Sequence, residues 1–199
     1  MMNARARWSF LAVPLLAALG CSDPVPLPAQ GAISLSVGKP TTAVSQMTCP
    51  DSGHSYTVYS GSVEPSKNSP GESVINGDNG SSISCSVRAS GGGFAFSGSF
   101  TGVTKDSNHY PITVSFSDGV IDANLSSGTA SVSVLTPVLA ASFGSTAPCT
   151  IVVLKNGQGT PQVKPGSIWA TFQCPTITSP PSGLCTVNAS VIVFENCSS

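Results

Sequence analysis

The sequence predicts an all-β fold: one antiparallel β-sandwich domain of about nine strands, stapled by disulfides. Three observations carry this reading. Glycine (20) and proline (16) are abundant while charged residues make up only 9% of the 199-residue chain, so turn formers are common and strong helix formers scarce. Apolar and polar residues alternate with a period of two through most segments, which turns one face of each toward a core. Seven cysteines are present, and the six from Cys49 onward form an even set once Cys21 is set apart.

The elements follow in order. Ile33, Leu35 and Val37 alternate with serines, and Gly38-Lys39-Pro40 ends this strand. Residues 41–48 carry no clear pattern, and residues 49–53 have turn chemistry. Residues 54–63 read as a strand with Tyr56 and Val58 on one face and Tyr59 on the other. Residues 64–81 hold Pro65, Pro70, Gly71, Gly77 and Gly80. A loop of that length is usually functional or mobile, so ligand contact is expected there first. Ile83, Cys85 and Val87 alternate with serines, Gly91-Gly92-Gly93 turns the chain, and Phe94, Phe96 and Phe100 return it as a hairpin. Ile112, Val114 and Phe116 make the next strand, and Asp118-Gly119 marks either a tight turn or a bulge. Ala130, Val132 and Val134 follow. Residues 149–154 form a continuous apolar strand suited to cover on both faces. Ile168, Ala170, Phe172 and Cys174 face the core, so Trp169 points outward. Residues 175–183 read as a turn-rich excursion, and residues 187–194 as the last strand. Such a set of strands fits an immunoglobulin-like or jelly-roll-like sandwich.

The N-terminus has a different character. Residues 1–7 carry two arginines and no acid, residues 8–19 are almost wholly apolar, and Gly20-Cys21 follow. This is the layout of a secretory signal, and the apolar run is too short for an ordinary membrane span of about 20 residues. Ala18-Leu19-Gly20-Cys21 resembles the lipobox of bacterial lipoproteins. The resemblance implies cleavage before Cys21, acylation of its thiol, and a lipid anchor in the membrane. Ser22, rather than an aspartate, after the cysteine implies the outer membrane. The expected organisation is a signal peptide over 1–20, an attachment cysteine and proline-rich tether over 21–31, and one domain over 32–199. The tether prolines 24, 26 and 28 favour extended chain. The segments Gly166 to Cys174, Cys185, and Phe194 to Cys197 resemble the tail of small uncharacterised lipoproteins of myxobacterial type, a group without known activity. Residues 104–110 faintly resemble a stretch of mycobacterial lipoprotein antigens.

Six cysteines, Cys49, Cys85, Cys149, Cys174, Cys185 and Cys197, in an exported chain are expected to form three disulfides. Neighbourhood in sequence ranks Cys174–Cys185 first, then Cys149–Cys197 and Cys49–Cys85. No paired C-x₂-C suggests zinc.

Chemistry is sparse. The histidines, His54 and His109, sit beside turns without a partner at metal-ligand spacing. No G-x-S-x-G elbow, H-E-x-x-H helix or calcium loop is present, and the acids near Asp78 and Asp118 read as turn formers. Ser36 and Lys39 match the S-x-x-K spacing, but in a strand rather than at a helix start. No cofactor is implied. Without Arg5 and Arg7, six scattered Lys/Arg face nine acids, which argues against nucleic acid as a partner. Trp169, outward and near a tyrosine such as Tyr59, is the candidate ligand contact, suited to stacking on a glycan. The expected protein is therefore a lipid-anchored binding or structural module of the cell envelope, not an enzyme, with an envelope glycan or protein as its partner. The alternative is an exported hydrolase whose active site is assembled only in space.

Overall fold

A computed structural model describes residues 25–40, 48–106, 108–179 and 183–199. The expected signal peptide, the expected attachment residue Cys21 and the patternless 41–47 lie outside them. Twelve strands are present among the described residues: β1 (Gln30–Gly38), β2 (Ser55–Val58), β3 (Val74–Ile75), β4 (Ser82–Ser90), β5 (Gly93–Val103), β6 (Pro111–Ile121), β7 (Ser127–Leu135), β8 (Phe143–Ser145), β9 (Cys149–Val153), β10 (Val163–Lys164), β11 (Ser167–Ser179) and β12 (Gly183–Glu195). The nine expected strands are all found. The three additional ones, β3, β8 and β10, are two or three residues long, too short for any alternation to register. The strand pairs are antiparallel throughout.

All strands belong to one sheet, in the order β2-β1-β12-β11-β8-β7-β6-β5-β4, with β9 also pairing β11 and β7. One layer is built on β1, β2, β11 and β12, and the other is the meander β4 to β7. The short β8 and β9 carry the sheet from one layer to the other. Both ends of the sheet are covered. Ser198 makes a parallel bridge to Ser86 on β4, and the Lys105 amide donates to the Thr57 carbonyl on β2. Covering exposed edges in this way removes templates for edge-to-edge aggregation.

Three glycine contacts set the crossing of the layers. Cβ atoms built on β5 would meet Phe194 of β12 from Gly98 and Val58 of β2 from Gly102, while one on Gly31 of β1 would meet the Phe100 ring. Successive inward positions of β5 thus lie over β12, β1 and β2 in turn. β5 runs across these strands rather than along them, the geometry of orthogonal packing. At the centre, the Phe116 ring stands edge-on to Phe172 at 5.0 Å and to Phe194 at 6.0 Å. Phe100, Phe143, Phe172 and Phe194 are fully buried.

The Gly98 position is open to a direct check. A Cβ there would lie 2.9 Å from the Phe194 ring, whereas one at Gly144 meets nothing within 4 Å. Gly98→Val is expected to destabilise by about 1–3 kcal/mol through overpacking. Gly144→Ala should change stability by no more than about 0.5 kcal/mol. Equal urea midpoints for the two variants would contradict this packing.

Several details depart from the pattern in the sequence. β2 stops at Val58, and the expected loop at 64–81 contains β3 and a 3-10 turn at Asp78–Gly80. Asp118-Gly119 is a bulge: β6 runs straight through with a register shift between Ser117 and Val120, and Asp118 has φ 52°. β9 is not covered on both sides, since Val152 is 47% exposed and its burial alternates. β11 continues to Ser179 through the proline-bearing segment, with ladder irregularities on both sides of Cys174. β12 is the strand buried on both faces, from Val191 to Phe194. The outer surface of the meander is a hydroxyl lattice, with Ser99 to Ser115 and Thr101 to Thr113 hydrogen bonds of 3.0 Å. It keeps a sheet of low charge hydrated.

All six domain cysteines are paired, as Cys49–Cys185, Cys85–Cys197 and Cys149–Cys174. None of the three pairings ranked from sequence neighbourhood is present. β11 and β12 form one long hairpin in which Cys174 faces Val187 and Cys185 faces Ile177, so the two cysteines sit on different rungs. The β9–β11 ladder, ending Gln173 opposite Thr150, sets Cys149 against Cys174. The tail that bridges β4 sets Cys197 against Cys85, with the Ser198 amide donating to the Cys85 carbonyl.

Candidate functional site

Local hydrogen bonding builds a cleft at the end of β2. Asn76 anchors the long loop: its amide donates to the Ala29 carbonyl, and its side-chain oxygen accepts from the Ile83 amide at 2.8 Å. The Ser81 hydroxyl donates to the Ile75 carbonyl at 2.7 Å. Gly77 at φ 97° and Gly80 at φ 74° supply the left-handed turns between these anchors, which push Asp78 and Asn79 outward. Opposite, Asp106 accepts from the Thr104 hydroxyl at 2.7 Å and from the amides of Asn108 and His109. Thr104 in turn accepts from the Tyr110 amide. This closed turn holds His109 at φ 49°, with its Nδ1 3.3 Å from the Thr104 carbonyl.

Between the two walls lies a cleft of about 320 Å³. Its floor is Val58, Val74 and Val103, and its rim carries Ser60, Asp78, Asn79, Lys105 and His109. Lys105 Nζ sits 4.3 Å from the centroid of the Tyr59 ring, a cation–π contact, and donates to the Gly61 carbonyl. Tyr59, read from the sequence as a ligand contact, lines this cleft, but one face of its ring is covered by Lys105.

Trp169 does point away from the core, as its parity in β11 requires. It is half-buried, and with Tyr59 it packs over a small outer cluster of Ala32, Leu154, Val191 and Val193. Its Nε1 donates to Glu195 Oε1 at 3.1 Å. The two aromatics therefore share one outer sheet face, across the row Ala32–Val193–Trp169. Beside them a groove of about 610 Å³ runs between that face and residues 64–67 of the long loop. The long loop thus contributes to both depressions.

His54 stands apart from the cleft. Its Nδ1 is 3.0 Å from Asp51 Oδ1, and Asp51 also accepts from the Tyr56 hydroxyl at 2.6 Å and the Thr136 hydroxyl at 2.5 Å. Burial, and after it the hydrogen bond to Asp51, pushes the Tyr56 phenol well above its ordinary value. No serine, threonine or cysteine side chain among the described residues hydrogen-bonds His54. Asp122 illustrates the opposite shift. The Ser126 amide and the Ser127 hydroxyl hold its carboxyl below the usual 3.8, which marks a tight turn rather than a catalytic acid. No group of three or more metal-binding side chains occurs among the described residues.

Lys105 and Asp51 were not singled out by the sequence. Lys105 lies in the 104–110 stretch, noted for a faint resemblance, and Asp51 in the 49–53 segment read as a turn. The long 64–81 stretch and Tyr59 were the signals of the cleft in the sequence. The chain matches no known family model, no curated protein and no solved structure.

Proposed function

We propose that this is an exported, lipid-anchored binding module of the bacterial cell envelope. In this reading it is held through Cys21 at the outer membrane and presents its β-domain to an envelope glycan or protein. The supporting observation is cysteine pairing. Cys49, Cys85, Cys149, Cys174, Cys185 and Cys197 are consumed in three bridges, leaving Cys21 as the seventh. The bridges themselves fit an oxidising compartment outside the cytoplasm. Residues 25–28 of the tether lie exposed beyond β1, so the domain can stand clear of a lipid surface. A diacylated and amide-acylated cysteine would carry more than the one chain that gives only marginal attachment. The alternative, an exported hydrolase, rests on the Asp51–His54 pair and on His109 sharing the cleft rim with Asp78 and Ser60.

The test is Cys21→Ser. The wild type is expected to take up radiolabelled palmitate and to partition with membranes. The variant should take up none, remain folded, and fractionate as a soluble protein. A variant that still sediments with membranes would refute the anchor.

A further inference from the structure

We infer that the cleft at the end of β2 binds one neutral sugar ring, the terminal residue of a glycan. This rests on the binding-module reading and names the ligand class for it. The size fits first. About 320 Å³ lies at the small end of ligand cavities, roughly 300–1,000 Å³, which suits one ring rather than a chain.

The chemistry of floor and rim then narrows the class. The valine floor offers apolar contact to one flat side of a ligand, and the polar groups stand only around the edge. A pyranose has that layout, with C–H groups on its faces and hydroxyls around its perimeter. The rim mixes acceptors and donors. Asp78 offers acceptors alone, Lys105 donors alone, and Ser60 and Asn79 both. The side chains of Ser60, Asp78 and Asn79 make no hydrogen bond to the protein among the described residues, so they remain available to a ligand. Hydroxyl groups, which donate and accept, satisfy such a mixture. An anion fits less well: Asp78 repels it, Lys105 already spends part of its charge on the Tyr59 ring and the Gly61 carbonyl, and His109 turns its Nδ1 to the Thr104 carbonyl. A purely apolar ligand would leave the rim groups desolvated and unpaired, at a cost.

The mode of recognition differs from the stacking expected at Tyr59 and Trp169. Lys105 covers the Tyr59 ring, and Trp169 is fixed to Glu195 over the outer cluster. Edge hydrogen bonding from Asp78 and Asn79 carries the specificity instead.

Ligand-observed NMR titration of the full protein in detergent tests this, with glucose, galactose, mannose and N-acetylglucosamine as neutral probes and glucuronate and inorganic phosphate as anionic ones. At least one neutral sugar is expected to bind saturably. Asp78→Asn and Asn79→Ala should each weaken it about tenfold, the loss of about 1.4 kcal/mol. Asp78→Asn, in an exposed turn, should leave the melting temperature unchanged, whereas Asn79→Ala should lower it slightly, because Asn79 holds φ 50°. Trp169→Ala should leave the affinity unchanged. Stronger binding of glucuronate or phosphate, no saturable binding of any neutral sugar, or sugar binding indifferent to both turn variants would each overturn the assignment. Membrane fractionation of Cys21→Ser reports separately on the anchor, so failure of one result is not failure of the other.

Discussion

Replacing Asp51 with alanine is expected to lower the unfolding free energy of the domain by about 2–6 kcal/mol, the cost of leaving two buried hydroxyls without their acceptor. Asp51 is 0% exposed, yet it lies in a turn between a disulfide cysteine and β2. Its carboxylate gathers the Tyr56 hydroxyl from β2, the Thr136 hydroxyl from the end of β7, and His54 Nδ1. It therefore ties the 49–53 turn to both layers. Alanine would leave two buried hydroxyls without an acceptor, and each unsatisfied group costs about 1–3 kcal/mol. Tyr56→Phe removes one donor together with its need for a partner, so it should cost only about 1 kcal/mol. The Tyr56 phenol adds a pH dependence. Its folded value is raised above the ordinary 10.0, by burial first and by Asp51 second. A raised value means that the stability this group contributes is complete below the unfolded value and is lost as pH climbs past it. Urea unfolding at pH 8 and at pH 11 should therefore show a loss at the higher pH that Tyr56→Phe reduces. An Asp51→Ala protein within 1 kcal/mol of wild type would show that the network does not hold the turn.

Alternation made the central strands readable because each lies half-buried on a sheet. Ile83 and Val87, Phe96 and Phe100, Ile112, Val114 and Phe116, and Ile168, Ala170 and Phe172 are all buried as their parity demands. The outward direction of Trp169 follows from the same rule. What stayed hidden depends on register between distant strands. β3, β8 and β10 gain their hydrogen bonds from neighbours already in place, and two or three residues display no period of their own. The disulfides were misassigned for the same reason. Closeness in sequence favours Cys174–Cys185, but a hairpin brings together residues at equal distance from its turn, and these two are not. The cleft was legible as a long glycine- and proline-bearing loop and in Tyr59, but not in its rim. Its polar rim arises because Asn76 and Ser81 fasten that loop beside β2, while Asp106 curls the 104–110 turn toward it. No spacing along the chain encodes that meeting. Asp51 was hidden because aspartate in a Pro-Asp-Ser-Gly stretch ordinarily faces water, and only the fold brings Thr136 to it from 85 positions away.

Reduction of the three bridges is expected to proceed in a fixed order and to end in unfolding. Cys85 and Cys197 are half-buried, and Cys197 borders a polar depression at the C-terminal end of β12. Cys149, Cys174 and Cys185 are fully buried, and Cys49 nearly so. A thiolate must reach a sulfur to exchange with it, so the Cys85–Cys197 bridge should open first. Its loss frees a tail that is held to β4 by the Val87–Ser198 and Ser198–Cys85 backbone hydrogen bonds, while the aromatic core and the β11–β12 hairpin keep their contacts. Limiting reductant without denaturant should therefore yield a folded species about 2 Da heavier. Alkylation should mark Cys85 and Cys197 alone. The remaining bridges close separations of 136 and 25 residues. Each disulfide typically contributes about 2–4 kcal/mol, so three together approach the whole stability of an ordinary domain, about 5–15 kcal/mol. Complete reduction should accordingly abolish the cooperative unfolding transition. If Cys149 and Cys174, or Cys49 and Cys185, were alkylated before the exposed pair, the tail would have to be the better protected end of the sheet, and its place as an edge cover on β4 would need to be redrawn.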